Sequence, residues 1–409
     1  MRERCCGEPH RCALQHDAPG EFADAGGLTG FHNKRFTLVP ENVYSRPTFQ
    51  PRGAARTVVS VTIKDVARAA QVSVATVSRT LNGHGNVAED VRRRVLAVAN
   101  DLRYTPHAAA RSLSSRRTQT LGVVLPDLHG EFFSELVRGV DQVAREHRLH
   151  LLVSSYHGRP DEQVAALRAM RGRVDGLLVM SPYAAAHASI VEELAPALPI
   201  VLINAQSDAP EVLSLSVDNY GGAQAMVEYL IASGHRRIAF IAGPEDNFDA
   251  HERLRGYREA LARLLPDARE WVLPGAFDEA SGHAAGQTLL SAAQRPDAVF
   301  AANDMMALGC LFSLVQAGLN VPGDIAVTGF DDIPLARYVH PTLTTMRVNI
   351  AQLGARAARL LITRLSVDSN ALDAQQYEVR DDEVKQRRSE PLRPELIVRE
   401  SGVRRGGGA

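Results

Sequence analysis

The sequence predicts a small all-α head followed by a larger α/β body with parallel sheets. Three observations predict it. Residues 61–105 carry apolar side chains at helical spacing, interrupted twice by turn signals. From Thr120 onward, short apolar runs alternate with amphipathic stretches, the pattern of strand–helix–strand crossovers. The chain has 409 residues, more than one domain needs, and its 45% apolar and 23% charged composition is ordinary for a globular protein.

The chain opens on residues without sustained periodicity and with many breakers, among them Gly7, Pro9, Pro19, Gly20, Pro40 and Pro51. A disordered extension is expected over residues 1–57. Met1 is the only methionine before Met170, so a start at a valine codon near Val58–Val61 is a second expectation, which would make the extension a start-site artefact. Cys5, Cys6, His10 and Cys12 are soft donors, but they lack the second CxxC or HxxxH half that gives a zinc site its spacing. Neither metal nor cofactor is expected. Cys310 alone sits in the body, so there is no disulfide framework. With no run of 18 apolar residues and no apolar leader core at the N-terminus, the expected location is the cytoplasm.

The head reads as three helices. Thr62-Ile63-Lys64-Asp65 has the form of a capping box, and Val66, Ala67 and Ala70 follow as an inward stripe. Ser73 caps a second helix, Val74–Leu81, which Asn82-Gly83 stops. Asn86 and Glu89 are expected to cap a third, reaching Leu102 with Val91, Val95, Val98 and Leu102 inward, and Pro106 ends it. Between Val58 and Arg117 ten basic residues face four acidic ones, whereas the whole chain carries a net charge of −1. A basic module on an acidic body is the footprint of a polyanion binder.

In a helix-turn-helix the second helix offers its N-terminal side chains to the major groove. Here Val77 and Leu81 turn inward, leaving Val74, Ala75, Ser78 and Arg79 outward. Ser73, Thr76 and Ser78 can donate to phosphates or base acceptors, Arg79 suits a guanine edge or a phosphate, and Val74 and Ala75 suit thymine methyls. Ordinary all-α cores also contain hairpins of this kind, so these residues alone leave both readings open.

In the body, strands are expected at 121–125, 149–154, 176–180, 200–203, 238–242, 298–301 and 325–328. Helices are expected at 132–147, 160–172, 221–233, 251–264, 279–293 and 304–317. Ligand chemistry then belongs at the carboxyl ends of the strands. Neither a Gly-x-Ser-x-Gly elbow nor a Walker loop occurs, which argues against an enzyme. A periplasmic solute carrier is disfavoured by the basic head and by the missing leader.

The run Val61–Asn82, Tyr104–Leu113, Leu121-Gly122-Val123-Val124-Leu125-Pro126-Asp127 and Glu131-Phe132-Phe133 resembles the lactose-repressor/galactose-repressor (LacI/GalR) family of transcription regulators. So do Val217-Asp218-Asn219, Gly234-His235-Arg236-Arg237-Ile238, Ala302-Asn303-Asp304, Gly329-Phe330-Asp331-Asp332 and Arg393–Glu400. The resemblance spans about residues 60–402. It implies a helix-turn-helix head (58–105), a hinge helix or linker (106–118) and a two-lobed effector domain like periplasmic binding proteins (119–402), then a short tail (403–409). The first lobe would hold about 119–216 and 331–365, the second about 217–330 and 391–402.

In the family, the segment matching Pro106–Ser114 folds on the operator and its leucine, here Leu113, wedges into the minor groove. The implied DNA-contacting set is Thr62, Ser73, Val74, Ala75, Thr76, Ser78, Arg79, Asn82, Ala110 and Leu113. The implied partners are a double-stranded operator, a second copy of the chain and a small sugar-like effector. The implied effector set is Asp127, Phe132, Phe133, Arg253, Phe277 and Asp304. Arg253 offers a planar fork. Asp304 suits paired hydroxyls but equally a helix cap, and Phe133 suits the core as well as a ligand wall.

Two departures matter. Gln71 stands where the family usually has glycine, a strained choice if its φ is positive. His129-Gly130-Glu131 replaces the Asn-Pro common in sugar-responsive members, which leaves a nucleobase or a sugar acid open as effector. Ser366–Glu390 reads as a long charged surface loop before a final strand at Leu396–Arg399. No leucine heptad follows, so a dimer rather than a tetramer is expected, on a pseudo-palindromic operator. Whether the ligand induces or co-represses, or a phosphorylated protein partner replaces it, is open at this point.

Overall fold

The computed structural model describes residues 61–81, 85–104, 117–183, 194–195, 198–205, 213–369 and 391–403. The expected extension over 1–57, Asn82, Pro106–Ser114 with Ala110 and Leu113, residues 370–390 and residues 404–409 lie outside the described residues.

The head is three helices, α1 (Ile63–Ala70), α2 (Val74–Leu81) and α3 (Glu89–Asp101). The Asp65 carboxylate accepts from both the backbone N–H (3.0 Å) and the hydroxyl (2.7 Å) of Thr62, closing the expected box. Those bonds hold Asp65 below the usual carboxylate range. The helix ends at Gln71, in the left-handed region with φ 54° and ψ 45°, and the Val72 N–H reaches back to the Ala67 carbonyl at 3.0 Å. Ser73 Oγ then accepts from the Thr76 N–H at 3.1 Å and starts α2. Val66, Ala67, Ala70, Val77, Val95 and Ala99 form the buried centre of the head.

Helix α3 ends with its C-cap at Leu102 as expected, but its N-cap and the cause of its stop differ from the expectation. Its N-cap is Ala88, which has no capping side chain, so Asn86 lies too far upstream to serve. Glu89 and Asp90 in the first turn compensate the helix dipole instead. At the other end Arg103 takes φ 50° and the Tyr104 N–H bonds the Ala99 carbonyl at 2.8 Å. The helix therefore stops through its own left-handed cap, ahead of Pro106.

The body contains two separate parallel sheets. The first is built from β1 (Thr120–Leu125), β2 (His150–Ser155), β3 (Gly176–Met180), β4 (Ile200–Ile203) and β5 (Leu213–Leu215), in the spatial order β2-β1-β3-β4-β5. Helices α4 (Glu131–Glu146) and α5 (Pro160–Met170) cross over between its strands. The second lobe opens with α6 (Asn219–Ala232), β6 (Ile238–Ile241), α7 (Phe248–Leu264) and β7 (Trp271–Leu273). It continues with α8 (Glu279–Leu290), β8 (Ala298–Ala301), α9 (Asp304–Gln316) and β9 (Ala326–Thr328). Its strand order is β7-β6-β8-β9. Strands such as Ile200–Ile203 and Ala298–Ala301 are buried throughout, as central parallel strands with covered faces must be.

The chain then crosses back. After β10 (Thr345–Arg347), α10 (Ile350–Ser369) packs on α4 of the first lobe, and β11 (Glu395–Ile397) returns to pair antiparallel with β10. Helix α10 runs to Ser369, so the loop expected from Ser366 begins with helix, and the final strand lies slightly upstream of Leu396–Arg399. In this crossing the buried Asp332 carboxylate receives Arg347 Nε at 2.7 Å and Arg399 Nη2 at 2.5 Å, with Arg337 Nη2 at 3.4 Å. Burial opposes its ionisation, but the bonds from Arg347 and Arg399 prevail and hold it below the ordinary carboxylate range.

Two helix pairs approach unusually closely. A Cβ on Gly139 of α4 would lie 1.9 Å from the Ala351 carbonyl oxygen, and one on Gly354 of α10 would lie 2.2 Å from that of Leu136. Gly282 of α8 and Gly309 of α9 meet Met306 and Glu279 in the same reciprocal way, at 2.1 Å and 2.0 Å. Only glycine permits these crossings. Among the described residues, no helix is long and apolar enough to cross a membrane.

Candidate functional site

Two features carry chemistry. The first is α2. Ser73, Val74, Ala75 and Arg79 are exposed on it, while Thr76 and Ser78 are half-buried. Val74 is 41% exposed, an apolar side chain offered to solvent at the start of the helix. Val77 is fully buried, as expected, and Thr80 joins it by turning its hydroxyl onto the Thr76 carbonyl at 2.9 Å. Ser73 Oγ lies 2.9 Å from Thr76 Oγ1, so these two hydroxyls act together. Thr62 is more restricted than its residue type suggests, because its hydroxyl proton is committed to Asp65.

The second is a cavity of about 220 Å³ between the lobes, at the carboxyl ends of their strands. Asp127, His129, Phe132, Phe133 and Tyr183 line it from the first lobe; Asn247, Asp249, Arg253, Phe277 and Asn303 line it from the second. Asp331, from the crossing segment, completes it. Phe132 and Phe133 meet edge to face, 5.5 Å between centroids. Asp127 Oδ1 accepts the N–H groups of Leu128 (2.6 Å) and His129 (3.1 Å), which fixes the turn into α4.

Asp127, Phe132, Phe133, Arg253 and Phe277 thus all line this cavity. Asp304 does not. It is fully buried beneath the site, with Oδ1 accepting from the Thr345 hydroxyl at 2.5 Å and Oδ2 from the Ile333 N–H at 2.9 Å. Burial pushes its carboxyl well above the usual range, with the neighbouring Asp331 charge adding to the effect. The residue before it, Asn303, faces the cavity instead. Asn303 Oδ1 caps α9 through the Met306 N–H (3.0 Å), and its Nδ2 donates to the Phe277 carbonyl (2.9 Å).

A buried polar chain connects the two lobes through this site. Asn204, at the end of β4, donates to Asp249 Oδ2 (2.8 Å), and Asn219 donates to Asp249 Oδ1 (2.8 Å). Arg253 donates through Nε to Asn219 Oδ1 (2.8 Å) and through Nη1 to the Ala302 carbonyl (2.6 Å). Its Nη2 lies 3.2 Å from Asp331 Oδ1, and its guanidinium sits 3.9 Å over the Phe330 ring. Burial pushes Asp249 up to about 6 and Asp331 up to about 7, against the pull of Arg253. Asn204 Oδ1 has no hydrogen-bond partner among the described residues, whereas Asp331 Oδ1 is met by Arg253 Nη2. Backbone strain gathers here too: Asn204, Phe277 and Asp331 have φ of 49°, 65° and 118°.

The lobes touch around the cavity mouth. His129 Nε2 lies 3.2 Å from Glu279 Oε2, the Phe248 N–H bonds the Pro182 carbonyl at 2.7 Å, and a Glu131 carboxylate oxygen accepts the Leu335 N–H at 2.8 Å. Sequence reasoning missed Asp249, Asn247, Tyr183 and Asp331. Asp249 had a signal, lying four residues before Arg253 and so on the same helix face.

Comparison with known proteins agrees with both features. Residues 62–107 match the family model described as bacterial regulatory proteins, lacI family, and residues 227–402 match a periplasmic binding protein-like domain. The chain is 36% identical over 319 residues to catabolite control protein A of Priestia megaterium, covering 76% of this chain and 96% of that one. It is 39% identical over 310 residues to the ribose operon repressor of Escherichia coli strain K12, covering 75% and 93%. Among solved structures it resembles the lac repressor dimer bound to operator and the anti-inducer ONPF, with a TM-score of 0.71 and 26% identity, covering 84% of this chain and 99% of that one.

Proposed function

Because the chain belongs to the LacI family of bacterial regulatory proteins, we propose that it represses transcription as a two-fold dimer on a pseudo-palindromic operator, under the control of a small sugar-like molecule bound between its lobes. The chain is a DNA-binding transcription regulator, not an enzyme. On this reading Val74 and Ala75 touch base edges, Ser73, Thr76, Ser78 and Arg79 contact bases and phosphates, and Thr62 and Asn82 flank them. Ala110 and Leu113, in a hinge over 106–118, enter the minor groove. The head spans 58–105 and the effector domain 119–402, and the protein works in the cytoplasm on nucleoid DNA.

The observation that carries the control mechanism is the cavity lined from both lobes by aromatic walls and a few buried polar groups, the composition of a small-ligand site. Ligand bound there contacts both lobes, so it stabilises their closed arrangement over the open one. Asp127, Phe132, Phe133, Arg253 and Phe277 are the effector contacts, joined by Asn303, Asp249 and Asp331.

A thermal-shift screen of neutral monosaccharides, sugar acids and purines against the full chain tests this. A ligand at 100 times its Kd adds about 2.7 kcal/mol and raises the melting temperature, and the same compound changes operator retention in a gel-shift titration. A panel that moves neither quantity refutes the small-molecule reading.

A further inference from the structure

We infer that the cleft selects uncharged, hydroxyl-bearing ligands and rejects anionic ones, with Asp249 as the side chain that enforces the choice. The inference rests on the effector reading of the cavity and narrows the ligand class that reading leaves open.

The charge inventory points one way. Asp127, Asp249, Asp278 and Asp331 line the cavity, against the single guanidinium of Arg253. His129 is the other basic side chain there, and it stands at the exposed rim against Glu279. Arg253 is 4% exposed, and each of its three nitrogens already has an oxygen partner: Asn219, the Ala302 carbonyl and Asp331. Its remaining N–H groups can serve a hydroxyl, but its charge is matched inside the protein. A phosphate or carboxylate entering here meets carboxylates with no cation in surplus. Charge in a water-poor cleft is screened far less than at a surface.

The donor–acceptor inventory agrees. The side-chain oxygens that line the cavity are mainly acceptors, those of Asp127, Asp249, Asp278 and Asp331, and among the described residues Asp331 Oδ1 is met only by Arg253 Nη2 at 3.2 Å. They call for donors. A sugar hydroxyl supplies a donor, whereas an ionised phosphate or carboxylate supplies only acceptors. Asp249 lines the cavity and accepts from Asn204 and Asn219. Burial already raises Asp249 and Asp331, with the Asp249 charge adding to the effect on Asp331, so the site resists further negative charge even before a ligand enters.

Calorimetry on the full chain with matched neutral and anionic pairs tests the inference: D-ribose with D-ribose 5-phosphate, D-xylose with D-xylonate, D-glucose with D-glucose 6-phosphate and with D-gluconate. For whichever skeleton binds, the neutral member is expected to bind at least about 100-fold tighter. In Asp249→Asn that ratio is expected to shrink by about tenfold or more, even if both affinities fall. The wild-type ratio decides without any variant, so a poorly folding substitution does not shelter the inference. An anionic member binding as tightly as its neutral partner overturns the inference and leaves the effector reading standing. Wild-type selectivity that survives unchanged in Asp249→Asn removes Asp249 from its role. If no member of any pair binds while a purine does, the inference falls and the effector reading stands; if the purines fail as well, both fall.

Discussion

Gly139→Ala is the sharpest test of how the first lobe is held together. The added Cβ would sit 1.9 Å from the Ala351 carbonyl oxygen, more than 1 Å inside the 3.0 Å that real Cβ atoms respect. The obstacle is backbone, so no rotamer change relieves it, and α4 and α10 must part by about 1 Å. Parting also loosens the reciprocal contact of Gly354 on Leu136. Overpacking of this kind costs about 3 kcal/mol, and alanine's better helix propensity returns up to about 1 kcal/mol. The net loss of about 2 kcal/mol lowers the melting temperature by roughly 3–4 °C for a body of this size. Circular-dichroism melts of the full chain read it, with Gly85→Ala as control, since a Cβ there meets nothing within 4 Å. A Gly139→Ala protein melting within about 1 °C of wild type would refute the close-crossing argument, because overpacking rarely costs so little.

Four further outcomes are expected. Gln71→Gly relieves a left-handed φ of 54° and stabilises the head by up to about 1 kcal/mol, read by hydrogen exchange of the α1 amides; faster exchange contradicts it. Asp331, at about 7 in the folded protein against an ordinary 3.8, keeps its proton longer folded than unfolded. Its stabilising contribution is full below pH 3.8 and is lost as pH rises to about 7, at up to about 1.4 kcal/mol per pH unit. Asp331→Asn therefore flattens urea-unfolding stability between pH 4.5 and 7, and an unchanged slope rejects the cause. Arg79→Ala weakens operator binding about tenfold or more if it pairs with a base, or lowers the salt slope by about one if it pairs with a phosphate; unchanged affinity and slope would show that α2 is not the reader. Glu279→Gln unlatches His129 at the cleft mouth, and because both groups are exposed, effector affinity falls by no more than about fivefold; a hundredfold loss would mean the pair does something else.

The helical head was legible because its signals are local. A capping box, a Ser N-cap and an apolar stripe each act within one or two turns, and Thr62, Ser73 and Val66 behave as read. The long buried strands were legible for the same reason, whereas β5 and β7 span three residues each and carry no pattern of their own. In the site, Phe277 and Arg253 were reached through the family resemblance, to which residue type added an aromatic wall and a planar fork. Asp304 misled because the strand-to-helix turn aims alternate side chains oppositely: Asn303 goes to the cavity and Asp304 beneath it. Asp331 was hidden because its position depends on a crossing between lobes, which no local spacing encodes.

The Asp332 cluster has a mechanical consequence. Arg337, Arg347 and Arg399 reach one carboxylate from a 3-10 turn, from β10 and from the residues just after β11. Three segments of the connection between lobes thus converge on one buried carboxylate. Such a tie is expected to work as an axle, leaving the lobes to swing about it while resisting the sliding of the tied segments past one another, so that replacing Arg399 should loosen the connection before it disturbs either sheet.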